Sequence, residues 1–395
     1  MKKLYSLALG LLAVLSANAQ SVTIGETSYN SLNDAVAAAV DNDILIVHGT
    51  VEVGTRIDLS NKTITIQGAD ENAQLKRKWG VKTMLIKANA GANMTFKDIT
   101  WSGSTVDAGS SFEASTNTSV MNFENVKFIE INQNTNYTID EKSNGTVNIN
   151  GLIAEGTYAM NGDAGWTVRE GSSNKVNISG TNKFNIYVQN DYLLPVSNIE
   201  NSDIIVGFNI TNTNRLSSRR AIVRGCGDPS QIKSGVTGYT LVTEPSNKNN
   251  LRIEIAPLAI TCDGEAVEND EFLFADGTYN FTVANVGAGI EYSYKFTESA
   301  AQTFAAEGFT TFDPATGITV DKEGTLEITV ECATMGNPNT LTRSITISKT
   351  TGIDGIVAEE NAPVEYYNLQ GIRVENPANG IFIRRQGNKT TKVAL

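Results

Sequence analysis

The chain has 395 residues, of which 19% are charged, and it carries a formal net charge of −12. A protein this negative is repelled by duplex nucleic acid, which excludes a general nucleic-acid-binding role. Its single histidine excludes a mechanism that needs two histidines and a metal site built on several.

Residues 1–19 have the features of a secretory signal peptide. Lys2 and Lys3 form the charged region, Leu7 to Leu15 the apolar run, and Ala17-Asn18-Ala19 the cleavage site. The apolar run is shorter than the roughly 20 residues that a membrane helix needs, and no later segment reaches that length. We therefore expect an exported mature chain that begins at Gln20 and has no transmembrane span.

The segment from Ser31 to Val40 predicts a short helix. Ser31 with Asp34 three residues later resembles a capping box, and Leu32, Val36 and Val40 follow at helical spacing. The end of a repeat domain exposes apolar core and strand edges, so we expect this helix to cap such a domain.

A pattern of apolar, any, apolar, any, turn residue, apolar recurs five times, the last copy without its final apolar residue. The copies are 26 to 30 residues apart, which is typical of a β-solenoid. Alternation places every second side chain inward, and the fixed Gly, Asp or Asn suits a backbone with positive φ. The copies begin at Ile64, Met94, Met121, Val147 and Val176, and their turn residues are Gly68, Asp98, Asn125, Gly151 and Gly180.

These repeats predict a parallel β-solenoid over residues 20–256, with an antiparallel sandwich as the alternative. Hairpin signals, the mark of a sandwich, do not dominate here. The segments YNSLNDAV (29–36), DNDILIV (41–47) and KTITIQG (62–68) resemble the opening of pectate-lyase-like right-handed parallel β-helix proteins. The resemblance implies an all-β fold, a single-stranded right-handed parallel β-helix. It implies no activity, because that superfamily includes lyases, glycosidases, adhesins and inert surface proteins.

A second domain is predicted over residues 257–350, starting at Pro257. Short alternating runs separated by Gly, Asp and Asn indicate a small β-sandwich. It resembles the Ig-like modules appended to carbohydrate-active enzymes, which implies a spacer or a binding module. The runs are Tyr279 to Val283, Ile290 to Thr297, Leu326 to Cys332 and Arg343 to Ile347.

The three cysteines belong to a chain that we expect in an oxidising compartment. Cys262 and Cys332 both end β-like runs of the second domain, so they are candidates for a disulfide. Cys226 is then the odd thiol, and we expect it to have no catalytic role because a cysteine without a nearby histidine base is a weak nucleophile.

A linker at 351–363 leads to a C-terminal tail at 364–395. The segment YYNLQGIRV (366–374), followed by GIFI (380–383), resembles the tails of proteins exported by type IX secretion. The resemblance implies outer-membrane export machinery as a partner, and a location that is secreted or on the outer surface of a Gram-negative-type bacterium. The alternative is a short β-structure that completes the sandwich.

Residues for acid–base catalysis are not evident. We interpret His48 as a residue at the rim of the solenoid. The repeats contain no Asp-Asp pair, which argues against hydrolysis by paired carboxylates. A lyase of the pectate-lyase-like fold would use Arg or Lys to abstract a proton beside a uronate carboxylate, often with calcium bound. Its basic candidates would be Lys97, Lys127, Arg169, Arg219, Arg220 and Arg224, without recognisable paired-arginine or calcium motifs. We predict no resident metal or cofactor, with calcium relevant only to the lyase alternative.

Lys97 and Glu124 hold equivalent positions in neighbouring repeats, so a strand spacing of about 4.8 Å predicts a surface ion pair between them.

Two basic clusters stand out against the acidic background and could bind an acidic sugar by charge pairing and ring stacking. Solvated loops are the structural alternative. The segment from Asn161 to Trp166 could be another projecting loop, with a tryptophan that seals one coil of the solenoid as the alternative. The candidate ligand-binding residues are Lys76, Arg77, Lys78, Trp79 and Lys82 in one cluster and Arg215, Arg219, Arg220 and Arg224 in the other.

The sequence therefore predicts an exported cell-surface β-helix protein that is non-catalytic and glycan-binding or adhesin-like, with a polysaccharide or a cell-surface glycan as its partner. A polysaccharide lyase acting on a uronate-containing polysaccharide is the first alternative. A structural surface stalk is the second, and it predicts a uniformly polar exterior. Whether the chain is an enzyme stays open at this point, with a lyase favoured over a glycoside hydrolase.

Overall fold

A computed structural model describes twelve stretches of the chain. The predicted signal peptide and most of the linker lie outside them, and no helix within them is long and apolar enough to cross a membrane. The stretches are 20–103, 110–129, 137–141, 144–155, 166–171, 175–189, 191–210, 214–275, 277–299, 308–350, 363–386 and 389–395.

The protein is all-β, as predicted, and a mostly parallel sheet of 23 strands dominates it. Two short helices, α1 (Leu32–Ala38) and α2 (Asn214–Ser217), accompany this sheet. Its strands are β1 (Ser21–Ile24), β2 (Thr27–Tyr29), β3 (Asp43–His48), β4 (Thr50–Val53), β5 (Ile57–Leu59), β6 (Thr63–Gly68), β7 (Gln74–Arg77), β8 (Ile86–Ala88), β9 (Asn93–Lys97), β10 (Thr100–Ser102), β11 (Phe112–Ala114), β12 (Val120–Ile129), β13 (Ile139–Glu141), β14 (Thr146–Ala154), β15 (Val168–Glu170), β16 (Val176–Gly180), β17 (Lys183–Val188), β18 (Leu194–Ile199), β19 (Asp203–Phe208), β20 (Ala221–Arg224), β21 (Ile232–Ser234), β22 (Tyr239–Glu244) and β23 (Asn247–Ile255).

The parallel strands form three stacks, and the chain contributes about one strand to each stack per repeat. The first stack runs β3, β6, β9, β12, β14, β16, β18 and β20. The second begins β4, β7, β10 and continues through the second half of β12. The third runs β5, β8, β11, β13, β15, β17, β19 and β21.

The predicted repeats align in register along the first stack. Ile64 pairs with Met94, Met94 with Met121, Met121 with Val147, and Val147 with Val176. All five side chains are buried. The alternating sequence therefore produces a continuous apolar column, because strand side chains alternate between the two faces.

Four of the five predicted turn residues have positive φ. The values are 47° for Asp98, 52° for Asn125, 82° for Gly151 and 73° for Gly180. Gly68 is the exception, since it is the last residue of β6 and is absent from the positive-φ positions. It must be glycine for a different reason: a Cβ there would lie 2.2 Å from the backbone oxygen of Asp98.

The predicted capping helix is confirmed as α1. Ser31 is its N-cap, and the Ser31 hydroxyl accepts a hydrogen bond of 3.1 Å from the Asp34 amide. Leu32 and Val36 are buried as expected. The prediction that Val40 belongs to the helix is wrong, since the helix ends before Val40 and its side chain is 64% exposed.

Residues 257–350 form two further sheets around a second hydrophobic cluster. Each of the four predicted alternating runs falls on a strand, apart from the end residues Ile290 and Cys332, which lie one position outside. The domain boundary itself stays a prediction. The strands are β24 (Ile260–Cys262), β25 (Glu265–Ala266), β26 (Glu271–Phe274), β27 (Tyr279–Val283), β28 (Glu291–Glu298), β29 (Thr310–Thr311), β30 (Ile318–Val320), β31 (Gly324–Glu331) and β32 (Thr340–Lys349).

The candidate disulfide between Cys262 and Cys332 is not formed: both thiols are free. They pack in different hydrophobic clusters, Cys262 in the second and Cys332 in the first, where the Cys332 thiol lies 3.4 Å from the Tyr239 hydroxyl. Burial, with a contribution from Asp263, raises the pKa of Cys262 to about 11, which keeps this thiol protonated at neutral pH. Cys226 is also free and buried, and burial raises its pKa.

Two loops of the second region, one between β27 and β28 and one between β31 and β32, cover the end of the large sheet. Met335 and Cys332 belong to the first hydrophobic cluster although they follow β31 in sequence. The Gly336 amide donates to the Leu216 carbonyl at 3.2 Å, and the Tyr239 hydroxyl donates to the Ala288 carbonyl at 2.9 Å. These contacts shield apolar groups that a free stack end would expose.

The tail forms a separate four-stranded antiparallel sheet rather than additional strands of the sandwich. Large apolar side chains on it are exposed, including Leu369 at 64% and Ile372 at 62%. Its strands are β33 (Val364–Tyr367), β34 (Arg373–Val374), β35 (Ile381–Gln386) and β36 (Lys389–Ala394).

Met335 lies in the second region but packs in the first hydrophobic cluster, so we predict that Met335→Asp destabilises the parallel strands of the first region. A carboxylate buried in the first cluster should lower the free energy of unfolding by about 3 kcal/mol. All three tryptophans precede residue 257, so tryptophan fluorescence during urea unfolding reports on that region. Ala333→Asp is the matched control, because Ala333 is exposed on the same loop. Equal unfolding midpoints for the two variants would show that the contact does not stabilise the stacks.

Candidate functional site

The first predicted basic cluster lies on and beside one loop between the second and third stacks. We call residues 78–85, which connect β7 to β8, the Lys–Trp loop. The Val81 amide donates to the Lys78 carbonyl at 3.2 Å, and Gly80 has φ of 80°. This is the pattern of a type II turn, whose third position favours glycine. Trp79 occupies the second position of the turn, and its side chain is 80% exposed.

Three lysines surround this tryptophan in the sequence and are exposed with it. Lys78 and Lys82 lie on the loop, and Lys76 is an outward residue of β7, two positions before the loop begins. The Lys78 amide donates to the Val53 carbonyl at 3.0 Å, which fixes the start of the loop to the neighbouring strand. An indole can stack on the apolar face of a sugar ring, and an exposed lysine near it in the sequence can pair with an anion on the same ligand.

The prediction of Arg77 as a ligand-binding residue is wrong, because its side chain is buried and not available to a ligand. Its side chain is 1% exposed and occupies an inward position of β7, in register with Val53. The guanidinium donates to the carbonyls of Val81 at 3.2 Å and Thr83 at 2.7 Å, both on the Lys–Trp loop. Burial lowers the pKa of Arg77 to about 10, so the side chain is charged at neutral pH.

The second basic cluster is largely occupied by structural contacts. Arg215 donates to the carbonyls of Asp191 at 2.6 Å, Tyr192 at 2.9 Å and Ala221 at 2.7 Å, and burial lowers its pKa.

Arg219, which has φ of 51°, contacts the second region through the carbonyls of Gly336 and Pro338 and forms an ion pair with Glu254. Arg220 and Arg224 are exposed.

The structure does not bring the two clusters together. The Lys–Trp loop follows β7, which belongs to the same repeat as β6, whereas Arg224 ends β20. Six strand spacings separate β6 from β20 along the first stack, a distance of about 29 Å. The candidate residues therefore form two sites rather than one.

A row of charged side chains on the third stack was not predicted. Lys87 pairs with Glu113 at 3.2 Å, and Arg169 pairs with Asp140 at 2.5 Å. The two carboxylates are 4% and 3% exposed, respectively. The Arg169 guanidinium also lies 4.6 Å from the centre of the Tyr137 ring.

A sequence signal for this row exists. Each basic residue and its carboxylate are separated by 26 or 29 residues, the spacing of the repeats.

The outward face of the first stack carries a ladder of side-chain amides. Asn122 donates to the side-chain oxygens of Asn93 at 2.9 Å and Thr95 at 3.1 Å. Asn148 donates to Asn122 at 2.8 Å, and Asn177 donates to Asn148 at 2.9 Å. The face is polar and regular, but its amides already bond to one another.

Two smaller predictions concern the Lys97–Glu124 pair and His48. The surface ion pair between Lys97 and Glu124 is confirmed, with a separation of 3.7 Å. His48 bonds to the Thr23 hydroxyl at 3.2 Å.

Trp166 is buried rather than projecting, in agreement with the alternative for this residue: its ring is 3% exposed, and a Cβ on Gly207 would lie 2.2 Å from it. The rest of that predicted loop, 161–165, lies outside the described residues.

Among the described residues, no group of three or more His, Cys, Asp or Glu side chains could hold a metal ion. No family model, no curated protein and no solved structure matches the chain. The arguments for function therefore rest on the site itself, and the exposed Lys–Trp loop is the part best suited to contact a ligand.

The buried and exposed ion pairs predict opposite mutational outcomes. Asp140→Asn should lower the free energy of unfolding by about 3 kcal/mol, because it leaves the largely buried Arg169 guanidinium without its carboxylate. Glu124→Gln removes an exposed pair and should cost less than about 1 kcal/mol. Urea unfolding of both variants at neutral pH measures the contrast, and equal effects would contradict the structural importance of the buried pair.

Proposed function

We propose that this chain is an exported, non-catalytic surface protein that binds an acidic polysaccharide through the Lys–Trp loop. The observation that carries the proposal is Trp79, which is 80% exposed at the tip of a turn between exposed lysines. Tryptophan is enriched at binding interfaces because one ring supplies a large apolar contact area and a polar N–H group, so such exposure favours a binding role.

The chemistry of the loop favours a sugar that carries negative charge. A pyranose ring presents an apolar face that can stack on the indole, while a uronate or sulfate group can pair with Lys76, Lys78 or Lys82. The net charge of −12 would weaken attraction of a polyanion by the rest of the protein. Binding is therefore local to this loop.

The architecture proposed with this function is a right-handed parallel β-helix, an Ig-like module and an export tail. The in-register parallel stacks and the positive φ of Asp98, Asn125, Gly151 and Gly180 support the β-helix. Right-handedness follows from the general preference of parallel crossover connections. The separate sheet of residues 364–395 supports a distinct tail over strands that complete the sandwich. Export is proposed from the signal-like residues 1–19 and this tail.

The two alternatives have less support. A lyase would need basic residues gathered at one place, but the two basic clusters are about 29 Å apart along the stack. Arg169, another basic candidate, is paired with Asp140. A purely structural stalk predicts a uniformly polar exterior, and the exposed indole of Trp79 departs from that expectation.

Trp79→Ala should weaken polysaccharide binding by roughly 30-fold, the effect of losing about 2 kcal/mol at a tryptophan hot spot. Calorimetry with a panel of uronate-containing and sulfated polysaccharides measures the change. Phe309→Ala is the control, because Phe309 is an aromatic residue that is 48% exposed in the second region. Equal loss in both variants, or unchanged affinity in Trp79→Ala, would contradict the proposed site. A rise in the ultraviolet absorbance of unsaturated uronates during incubation would replace binding with lyase activity.

The lysines should determine the salt dependence of binding. Replacing Lys76, Lys78 and Lys82 together with glutamine should lower affinity at low salt and flatten its decrease with added NaCl, because exposed charges are screened within about 10 Å at 0.1 M salt. Replacing Lys97, Lys127 and Lys233 in the same way gives a variant with an equal change in net charge at other exposed positions. The proposal fails if both triple variants show the same salt dependence.

A further inference from the structure

We propose that Arg77 is a positioning residue for the Lys–Trp loop, and that a buried polar network extends this positioning to the Asp140–Arg169 pair. The inference rests on the proposed function, because it concerns how the same loop is held for its ligand. It concerns a residue whose sequence neighbours Lys76 and Lys78 are exposed while it is buried.

One terminal nitrogen of the Arg77 guanidinium forms hydrogen bonds with two carbonyls of the loop. Nη1 donates to the carbonyl of Val81 at 3.2 Å and to that of Thr83 at 2.7 Å. Val81 closes the turn that presents Trp79, because its amide bonds to the Lys78 carbonyl. Arg77 thus fixes the segment immediately after the exposed indole.

The other terminal nitrogen of Arg77 joins the loop to the next repeat. Nη2 donates to the carbonyl of Ser110 at 3.2 Å and to the hydroxyl of Ser111 at 3.1 Å, just before β11. A planar guanidinium can direct several donors at fixed angles to such acceptors, which the single ammonium group of lysine cannot do.

The network continues one repeat further. The Ser110 hydroxyl donates to the Asp140 carboxylate at 3.2 Å, and the opposite oxygen of that carboxylate accepts from Arg169 Nε at 2.7 Å. Arg77, Ser110, Ser111 and Asp140 are each no more than 7% exposed. Hydrogen bonds between buried side chains are strengthened by the low dielectric of the protein interior, and a satisfied buried network is rigid.

A fixed loop improves binding because less conformational freedom is lost when the ligand arrives. Arg77→Lys should therefore loosen the Lys–Trp loop and weaken polysaccharide binding by about tenfold, although Arg77 does not contact the ligand. A lysine of the same charge leaves the electrostatic attraction unchanged, so the loss would report positioning alone.

The test uses the full mature chain labelled with 5-fluorotryptophan. The protein has three tryptophans, and the fluorine resonance that disappears in Trp79→Phe belongs to Trp79. In Arg77→Lys we expect the Trp79 resonance to shift and change its line width more than those of Trp101 and Trp166, which report on the neighbouring core. Binding affinity is measured on the same variant.

Arg215→Lys is the matched control, because Arg215 also donates to three backbone carbonyls but lies at the distant end of the stacks. It should change neither the Trp79 resonance nor the affinity. Ser111→Ala removes one acceptor of Arg77 and Ser110→Ala removes the link to Asp140, so both should shift the Trp79 resonance in the same direction as Arg77→Lys by a smaller amount.

An unchanged Trp79 resonance in Arg77→Lys and Ser111→Ala would overturn the positioning role, whatever the affinities are. If Arg77→Lys unfolds the whole chain and disturbs all three resonances, the milder Ser111→Ala and Ser110→Ala variants decide the question. Failure of the wild-type chain to bind any polysaccharide would instead overturn the proposed function, and the resonance comparison would still decide whether Arg77 positions the loop.

Discussion

In-register pairing of parallel strands is the constraint on which the rest of the structure depends. Each repeat places apolar side chains at the same inward positions as its neighbour, as in the row Ile66, Phe96, Phe123 and Ile149. A slip of one residue would turn these side chains outward and polar ones inward. Aromatic packing strengthens the same register, since the rings of Phe96 and Phe123 stack with centres 5.4 Å apart.

The register that builds the core also builds the polar features outside and beside it. Residues at equivalent positions one repeat apart become neighbours, which produces the amide ladder on the outward face of the first stack and the largely buried ion pairs of the third. The Lys–Trp loop begins where a strand of the second stack ends, and Arg77 occupies the last inward position of that strand. An arginine at a core position thus becomes a support for an exposed loop.

Much of the fold could be predicted from the sequence, because alternation and repeat spacing are local signals. The repeats, the helix begun by Ser31 and the Lys97–Glu124 pair all follow from such spacing. Burial was harder to predict in the basic clusters, since sequence proximity does not distinguish an outward lysine from an inward arginine. Counting the alternation from Leu75 would have placed Arg77 inward. Contacts between distant segments, such as that of Cys332 with Tyr239, leave no local signal.

Hydrogen–deuterium exchange of the mature chain, with and without an acidic polysaccharide, tests the central claim of a ligand site on the Lys–Trp loop most directly. It reports on three candidate surfaces at once: the loop, the partly buried amide ladder around Asn122 and Asn148, and the exposed arginines Arg220 and Arg224. The account predicts ligand-dependent protection of peptides covering residues 78–83 and none at the other two surfaces. Protection confined to the ladder or to the arginines, with residues 78–83 unchanged, would contradict it.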